Sequence, residues 1–238
     1  ALAGDIRAVF AWAIVPAAIA VALLIFGVEE PRKERKPKNQ RAPAPIRWSE
    51  VVGMGWPFWS VVVLGMVFSL ARFSEAFLVL RAQDTGLAIA FVPVVLVGMN
   101  LVYAVVAAPA GALSDSMDRR LLLGLGLVVL ILADAALAWL DTVWGVLIGA
   151  GLWGLHMGLT QGLFAAMVAD TAPARLRGTG FGVFYLATGV ALLAASSLAG
   201  VLWATLGASA TFLAGAGFAA LALAGLALVI RQRRPTDA

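Results

Sequence analysis

The sequence predicts an all-α membrane protein of seven transmembrane helices, the first joined by a long basic linker to a bundle of six. Three observations predict it. The chain is 62% hydrophobic and 13% charged, whereas soluble domains are roughly half apolar and about a quarter charged. Apolar runs of about twenty residues follow one another with hardly a charge inside, the length a helix needs to cross a bilayer. After the linker these runs fall into three, a short turn at Asp141, and three more, which is the pattern of an inverted repeat. The chain has no cysteine, which excludes disulfides, thiolate metal sites and a cysteine nucleophile. It begins with alanine, and no signal-peptide pattern precedes the first run, so a fragment or a processed product is expected.

Taken in order, residues 1–28 hold a polar start with Asp5 and Arg7 and then a first span, Phe10 to Val28, with Pro16 inside it. Membrane helices tolerate such a proline better than soluble ones do. Residues 29–55 form the linker. Arg32, Lys33, Arg35, Lys36, Lys38, Arg41 and Arg47 alternate there with four prolines. Such a segment cannot bury a core and reads as a cytoplasmic tether, with a lipid-headgroup or regulatory site as the other reading.

The six-helix bundle is expected over 56–230. Its spans run Trp56 to Leu80, Ala88 to Ala110, Leu121 to Leu140, Val143 to Val168, Thr179 to Leu206 and Ala208 to Ile230. Trp56 and Trp59 suit an interfacial position. Residues 231–238 form a short tail. Strict alternation then puts the linker, the loop near Arg119, the loop near Arg175 and the C-terminal arginines on one side. Those four segments hold fourteen of the seventeen Lys and Arg residues; Arg7, Arg72 and Arg81 fall elsewhere. Basic loops stay cytoplasmic, so the N-terminus is expected outside and the C-terminus inside. The net charge of +4 therefore reports topology, and no nucleic-acid partner is expected.

The stretch Gly111 to Leu123, Gly-Ala-Leu-Ser-Asp-Ser-Met-Asp-Arg-Arg-Leu-Leu-Leu, reads as a charged loop between two spans. It resembles the signature loop of the major facilitator superfamily (MFS) of transporters, Gly-x-Leu-Ala-Asp-Arg-x-Gly-Arg-Lys. Gly111, Leu113, Asp115, Arg119 and Arg120 match in register. Ser114 is a mild change, Ser116 replaces a basic residue and Asp118 replaces a glycine. Those departures resemble the degenerate second copy of the loop. Pro173-x-x-x-Arg177-Gly178 before the next span is also common in that superfamily. The whole chain is thus similar to the sixth to twelfth helices of a twelve-helix MFS transporter: a linker-joined helix followed by a six-helix MFS half-bundle with a 3+3 inverted repeat.

Several polar residues lie inside the spans. Arg72 and Glu75 are three apart, so on one helix they share a face and can pair. Ionisable residues at such depth are functional candidates by default. They read either as a substrate- or proton-linked pair or as a structural ion pair with Arg72 snorkelling outward. Arg81 and Asp84 read as plain loop charges. Ala150, Gly154, Gly158, Gly162 and Ala166 recur every four residues, a stripe that lets another helix approach. His156 faces away from that stripe, on the side of Thr160. It reads as a proton relay or as a neutral residue bonding two helices. As the single histidine, it makes a histidine-based metal site improbable, and no metal and no cofactor are expected.

The resemblance implies that the second, third, fifth and sixth spans line a cavity, and the polar residues fall there: Arg72, Glu75, Asn100, Tyr103, His156, Gln161 and Tyr185. The fourth span, with Asp134 near its outer end, and the seventh are expected as peripheral supports. Gly111, Asp115, Arg119, Arg120, Arg177 and Gly178 would form a cytoplasmic gate. There Asp115 would cap a helix N-terminus, and Arg119 would pair with a neighbouring carboxylate.

Other classes fit less well. A retinal protein needs a lysine within its last helix, and the lysines here are all in the linker. Ser196 and Ser197 with His156 lack the pattern of an intramembrane hydrolase, so no catalytic residue and no enzyme activity are expected. A membrane-embedded structural or assembly subunit would carry no polar cluster at cavity depth. The resemblance implies secondary active transport of a small molecule by alternating access, coupled to protons, and the apolar, aromatic-lined spans lean towards efflux. The expected partners are the lipid bilayer, a missing N-terminal half of the same transporter, the substrate and protons. The expected location is a bacterial plasma (inner) membrane. Substrate identity and direction are not legible in the residues.

Overall fold

Long apolar stretches without internal hydrogen-bond competitors satisfy their backbone as helices, and helices are what the chain forms. A computed structural model describes residues 6–27 and 48–232, and the chain divides into two units, up to Pro45 and from Ile46 onward. The first unit contains α1 (Ile6–Gly27), apolar over Ala17–Gly27. Most of the basic linker, residues 28–47, and the tail beyond Gln232 lie outside the described residues.

The second unit begins with a short helix, α2 (Trp48–Val52), followed by α3 (Trp56–Ala71), α4 (Ala76–Asp84), α5 (Val92–Ser116), α6 (Arg119–Trp139), α7 (Val143–Thr171), α8 (Arg177–Leu206) and α9 (Ala208–Gln232). A single 3-10 turn, Ala174–Leu176, precedes α8. Counting α3 and α4 as one interrupted span, six segments are long and apolar enough to cross a membrane. The first three are α3–α4, α5 and α6, and the second three are α7, α8 and α9. Helix α5 packs on α7, α6 packs on both α7 and α9, and α3 packs on α8 and α9. The core between them is built on Trp153, Phe58, Phe212, Leu127 and Leu130, all fully buried.

The small residues of α7 do what their spacing predicts on one side. A Cβ added at Gly154 would lie 2.2 Å from the Met99 carbonyl oxygen of α5, and one at Gly158 would lie 2.7 Å from Val106 Cγ1. Nothing lies within 4 Å of a Cβ at Gly162, so the close approach ends there. The turn between α6 and α7 is equally tight. A Cβ at Gly145 would meet Leu140 at 2.3 Å, while Thr142 caps α7 by accepting from the Gly145 N–H at 3.1 Å.

Three expectations are corrected. The span beginning at Trp56 is not one helix: Arg72, Phe73 and Ser74 leave helical geometry before α4 begins. No proline or glycine causes this. Phe73 turns into the core against Phe77, Trp153 and Phe212. Side chains supply substitutes for part of the lost ladder. The Ser74 N–H donates to Ser196 Oγ at 3.2 Å, and the Ala76 N–H donates to Ser74 Oγ at 3.3 Å. Broken helices persist at membrane depth on such compensation.

The second correction concerns the signature stretch. Gly111 to Ser116 form the last turns of α5, and Met117 and Asp118 alone separate it from α6. The third concerns Arg81. It is no loop charge but lies in α4 at 3% exposure, with Nε donating to the Leu137 carbonyl at 2.9 Å and Nη1 bonded to Asp84 and Asp141.

Candidate functional site

The break in the α3–α4 span opens a cavity of about 780 Å³, walled by α3, the break, α7 and α8. Its position follows from local chemistry. Where the backbone leaves the helix, Arg72 and Glu75 are carried at the two edges of the break: Arg72 ends α3 and Glu75 precedes α4. Their pairing therefore does not arise from one shared helix face. The guanidinium Nη2 lies 4.0 Å from Glu75 Oε1, with the side chains 23% and 39% exposed. The pair is loose and half open to the cavity, so both partners retain unused hydrogen-bonding capacity.

The rest of the wall is aromatic and hydroxylic. Phe68 meets Phe164 edge-on along one side, and Phe164 stacks on Phe184, with ring centroids 4.9 and 5.7 Å apart. Helices α3 and α8 come close because Gly65 has no side chain: a Cβ there would lie 2.4 Å from the Phe184 ring. Tyr185, Thr188 and Ser196 of α8 and Gln161 of α7 add polar atoms to the same lining. The arrangement suits a ligand with an extended apolar body and a charged or hydrogen-bonding end, because apolar walls with a few placed polar groups are the usual form of a small-molecule site.

A second cavity of about 380 Å³ lies between α5 and α7, lined by Tyr103, Gly111, Asp115 and Gly158 among others. Gln161 lines both cavities. Of the seven pathway residues expected from the sequence, Arg72, Glu75, Gln161 and Tyr185 meet in the large cavity, and Tyr103 borders the small one. Asn100 lines neither. It is exposed on α5, its Nδ2 donating to the Leu96 carbonyl at 2.8 Å. His156 lines neither as well. Fully buried, it places Nδ1 2.8 Å from the Gly126 carbonyl of α6 and stacks on Phe68 at 5.3 Å. A carbonyl only accepts, so Nδ1 carries the hydrogen, and the histidine bonds two helices together.

The sequence reading missed Ser74 and Ser196 as cavity residues. A pair of serines at 196–197 in an otherwise apolar helix was the available signal, but only the break gives Ser196 its partner.

Towards the C-terminal end of α7 the signature residues occupy distinct positions. Asp115 borders the small cavity from the last turns of α5. The carboxylate that caps a helix is Asp118, which accepts from the Arg120 N–H at 2.9 Å at the start of α6. Arg119 pairs with Asp170 near the end of α7. Arg175 of the 3-10 turn pairs with Glu50 of α2. Arg177 and Gly178 open α8 directly after that turn. Asp118, Arg119, Arg120 and Asp170 also line a third cavity of about 440 Å³, together with Trp56 and Thr171.

Comparison with known proteins agrees with this architecture. The Major Facilitator Superfamily matches residues 75–238. The chain is 32% identical over 149 residues to an uncharacterized MFS-type transporter of Methanocaldococcus jannaschii, an alignment covering 60% of this chain and 37% of the relative. It is 31% identical over 173 residues to the inner membrane transport protein YajR of Escherichia coli, covering 70% of this chain and 37% of the relative. The chain thus spans little more than a third of the length of the curated relatives it matches. With most of its residues matched by the family and two transporters related to it, this chain is an integral, multi-pass membrane protein of the Major Facilitator Superfamily.

Proposed function

We propose that the chain is the C-terminal half of a secondary transporter that moves a small molecule by alternating access, coupled to protons and directed outward. The observation that carries this reading is the broken α3–α4 span, which sets a loose Arg72–Glu75 pair at the edge of an aromatic cavity. Discontinuous helices near the middle of the membrane are where secondary transporters hold their ligands. Phe68, Phe164, Phe184 and Tyr185 supply flat apolar contacts, and the pair supplies orientation. An amphipathic molecule with one charged end fits these walls, and the charged end would compete with one member of the pair for the other.

The cavity opens on the side formed by α3, α7 and α8, and an N-terminal half of the same transporter would close it. The Asp118 cap and the Arg119–Asp170 pair would latch the cytoplasmic side, because exposed ion pairs cost little to open and re-form. The basic loops support a cytoplasmic position for this side, the linker and the C-terminus, and the membrane we infer is a bacterial inner membrane.

The test uses the full-length transporter in inside-out vesicles, with accumulation of a fluorescent amphipathic cation such as ethidium as the readout. Arg72→Ala and Glu75→Ala should each abolish accumulation while the protein still inserts. Unchanged transport by both variants would sink the assignment of the cavity.

A further inference from the structure

Among the described residues, the buried side-chain polar atoms without a hydrogen-bond partner are both carboxylate oxygens of Asp134, Trp153 Nε1 and His156 Nε2. They are not scattered. Asp134 is on α6, Trp153 and His156 are one turn apart on α7, and all three lie behind the broken span. Phe68, before the break, stacks on His156. Phe73, within the break, lies 5.4 Å from Trp153. A Cβ placed on Gly215 of α9 would be 2.7 Å from Asp134 Oδ2 and 2.8 Å from Phe73 Cε1. The carboxyl group and the Phe73 ring therefore share the space that Gly215 leaves free.

Asp134 was expected as a peripheral residue near an outer helix end. It is instead fully buried, enclosed by α6, α9 and the break. Phe73 has a second neighbour: it also lines the large cavity. One aromatic ring therefore stands between a solvent-accessible cavity and an unpaired buried carboxyl group.

We propose that Asp134 is a proton-binding site, shielded from the main cavity by the Phe73 ring and opened to it when the interrupted span moves. A carboxylate without partners is very costly in such surroundings, and binding one proton removes the charge. The step is a simple association: a proton from cavity water adds to one carboxylate oxygen and leaves by the same route. The neutral acid fits the closed arrangement. The carboxylate would need the Phe73 ring to withdraw, admitting water or the unpaired Trp153 N–H. The break lets the backbone there move, because three residues lack a helical ladder and rest on two serine hydroxyls.

The charged and titratable groups on neighbouring elements are few. Arg72 and Glu75 flank the break and pair with each other. Arg81 of α4 is held by Asp84 and Asp141, and His156 of α7 is bonded to Gly126. On α9, Thr211 lies one turn before Gly215 and is bonded to the backbone of Gly207 and Ala199. None of these is bonded to Asp134, so its charge is set by access to protons.

This inference rests on the proton-coupled reading above and deepens it. Infrared difference spectroscopy on the purified full-length transporter tests it without any transported substrate. A protonated-carboxyl C=O band should be present in the wild type and in Glu75→Gln, and missing in Asp134→Asn. Phe73→Ala, which uncovers the site, should speed hydrogen–deuterium exchange of that band at least tenfold. A band that survives Asp134→Asn, or an exchange rate unchanged by Phe73→Ala, would overturn the proposal. If the band behaves as stated but a pH gradient drives no transport in the wild type, the coupled-transport reading fails and the proton site stands.

Discussion

Replacing Arg81 by methionine tests how the outer end of this bundle is held. Helix α6 stops at Trp139, so its last carbonyls have no intrahelical donor. Two of them are met from other elements: Arg81 Nε of α4 donates to the Leu137 carbonyl at 2.9 Å, and Ser209 Oγ of α9 donates to the Ala138 carbonyl at 2.7 Å. A cation at a helix C-terminus is also favoured by the peptide dipoles. The arginine is 3% exposed, whereas its partners Asp84 and Asp141 have side chains 54% and 82% exposed. Those carboxylates can rehydrate when the arginine is lost, so each pair is worth only about 0–1 kcal/mol. The carbonyl cannot, and losing a buried charged donor costs about 1.5–3 kcal/mol. Arg81→Met should therefore destabilise by about 3 kcal/mol, with the carbonyl supplying most of it. For a chain of this size that is a fall of roughly 6–12 °C in the unfolding midpoint. Asp141→Asn should lower the midpoint by roughly 0–4 °C, from the same scale applied to one exposed pair. The assay is thermal unfolding of the detergent-solubilised protein, followed by size-exclusion fluorescence. A fall for Asp141→Asn as large as that for Arg81→Met would refute the reasoning. It would place the energy in the surface ion pair and not in the capped carbonyl.

Two further outcomes are expected. Gly154→Ala should destabilise by about 1–3 kcal/mol, because the new methyl group meets the Met99 backbone and neither helix can yield cheaply. Gly162→Ala, eight residues on in the same stripe, should be neutral or stabilising by up to about 1 kcal/mol, since its Cβ meets nothing and alanine favours the helix; equal thermal shifts for the two variants would show that the stripe is not read by contact. For topology, Asp84→Cys and Asp118→Cys in this cysteine-free sequence should react with an impermeant maleimide from opposite sides of intact cells. Labelling from the same side would overturn the span count.

How much of this was legible in the residues depends on range. Membrane spanning, the six span-length segments from Trp56 onward and their three-plus-three order follow from the apolar runs, because a span must satisfy its own backbone within about twenty residues. The pairing of Arg119 with a carboxylate came from the family resemblance, and the packing role of the α7 glycines from their spacing. Charge next to a span and small residues every four positions leave few alternatives. The signature stretch was recognised but its shape was not. Nothing in Gly111 to Ser116 forbids helix, so α5 simply continues, and the cap passes from Asp115 to Asp118.

What the sequence by itself determined is therefore the class of protein and which segments cross the membrane, since hydropathy and backbone satisfaction are local demands. Only the tertiary structure decided where the polar side chains gather. The break at Arg72 to Ser74 has no proline or glycine to announce it. It exists because Phe73 is drawn between Trp153 and Phe212, while Ser196, 122 residues away, accepts a freed N–H. Arg81 became a cap because α6 ends beside it, and Asp134 became a buried acid because Gly215 and Phe73 close over it. Each depends on a partner far along the chain, and a distant partner leaves no trace in local spacing.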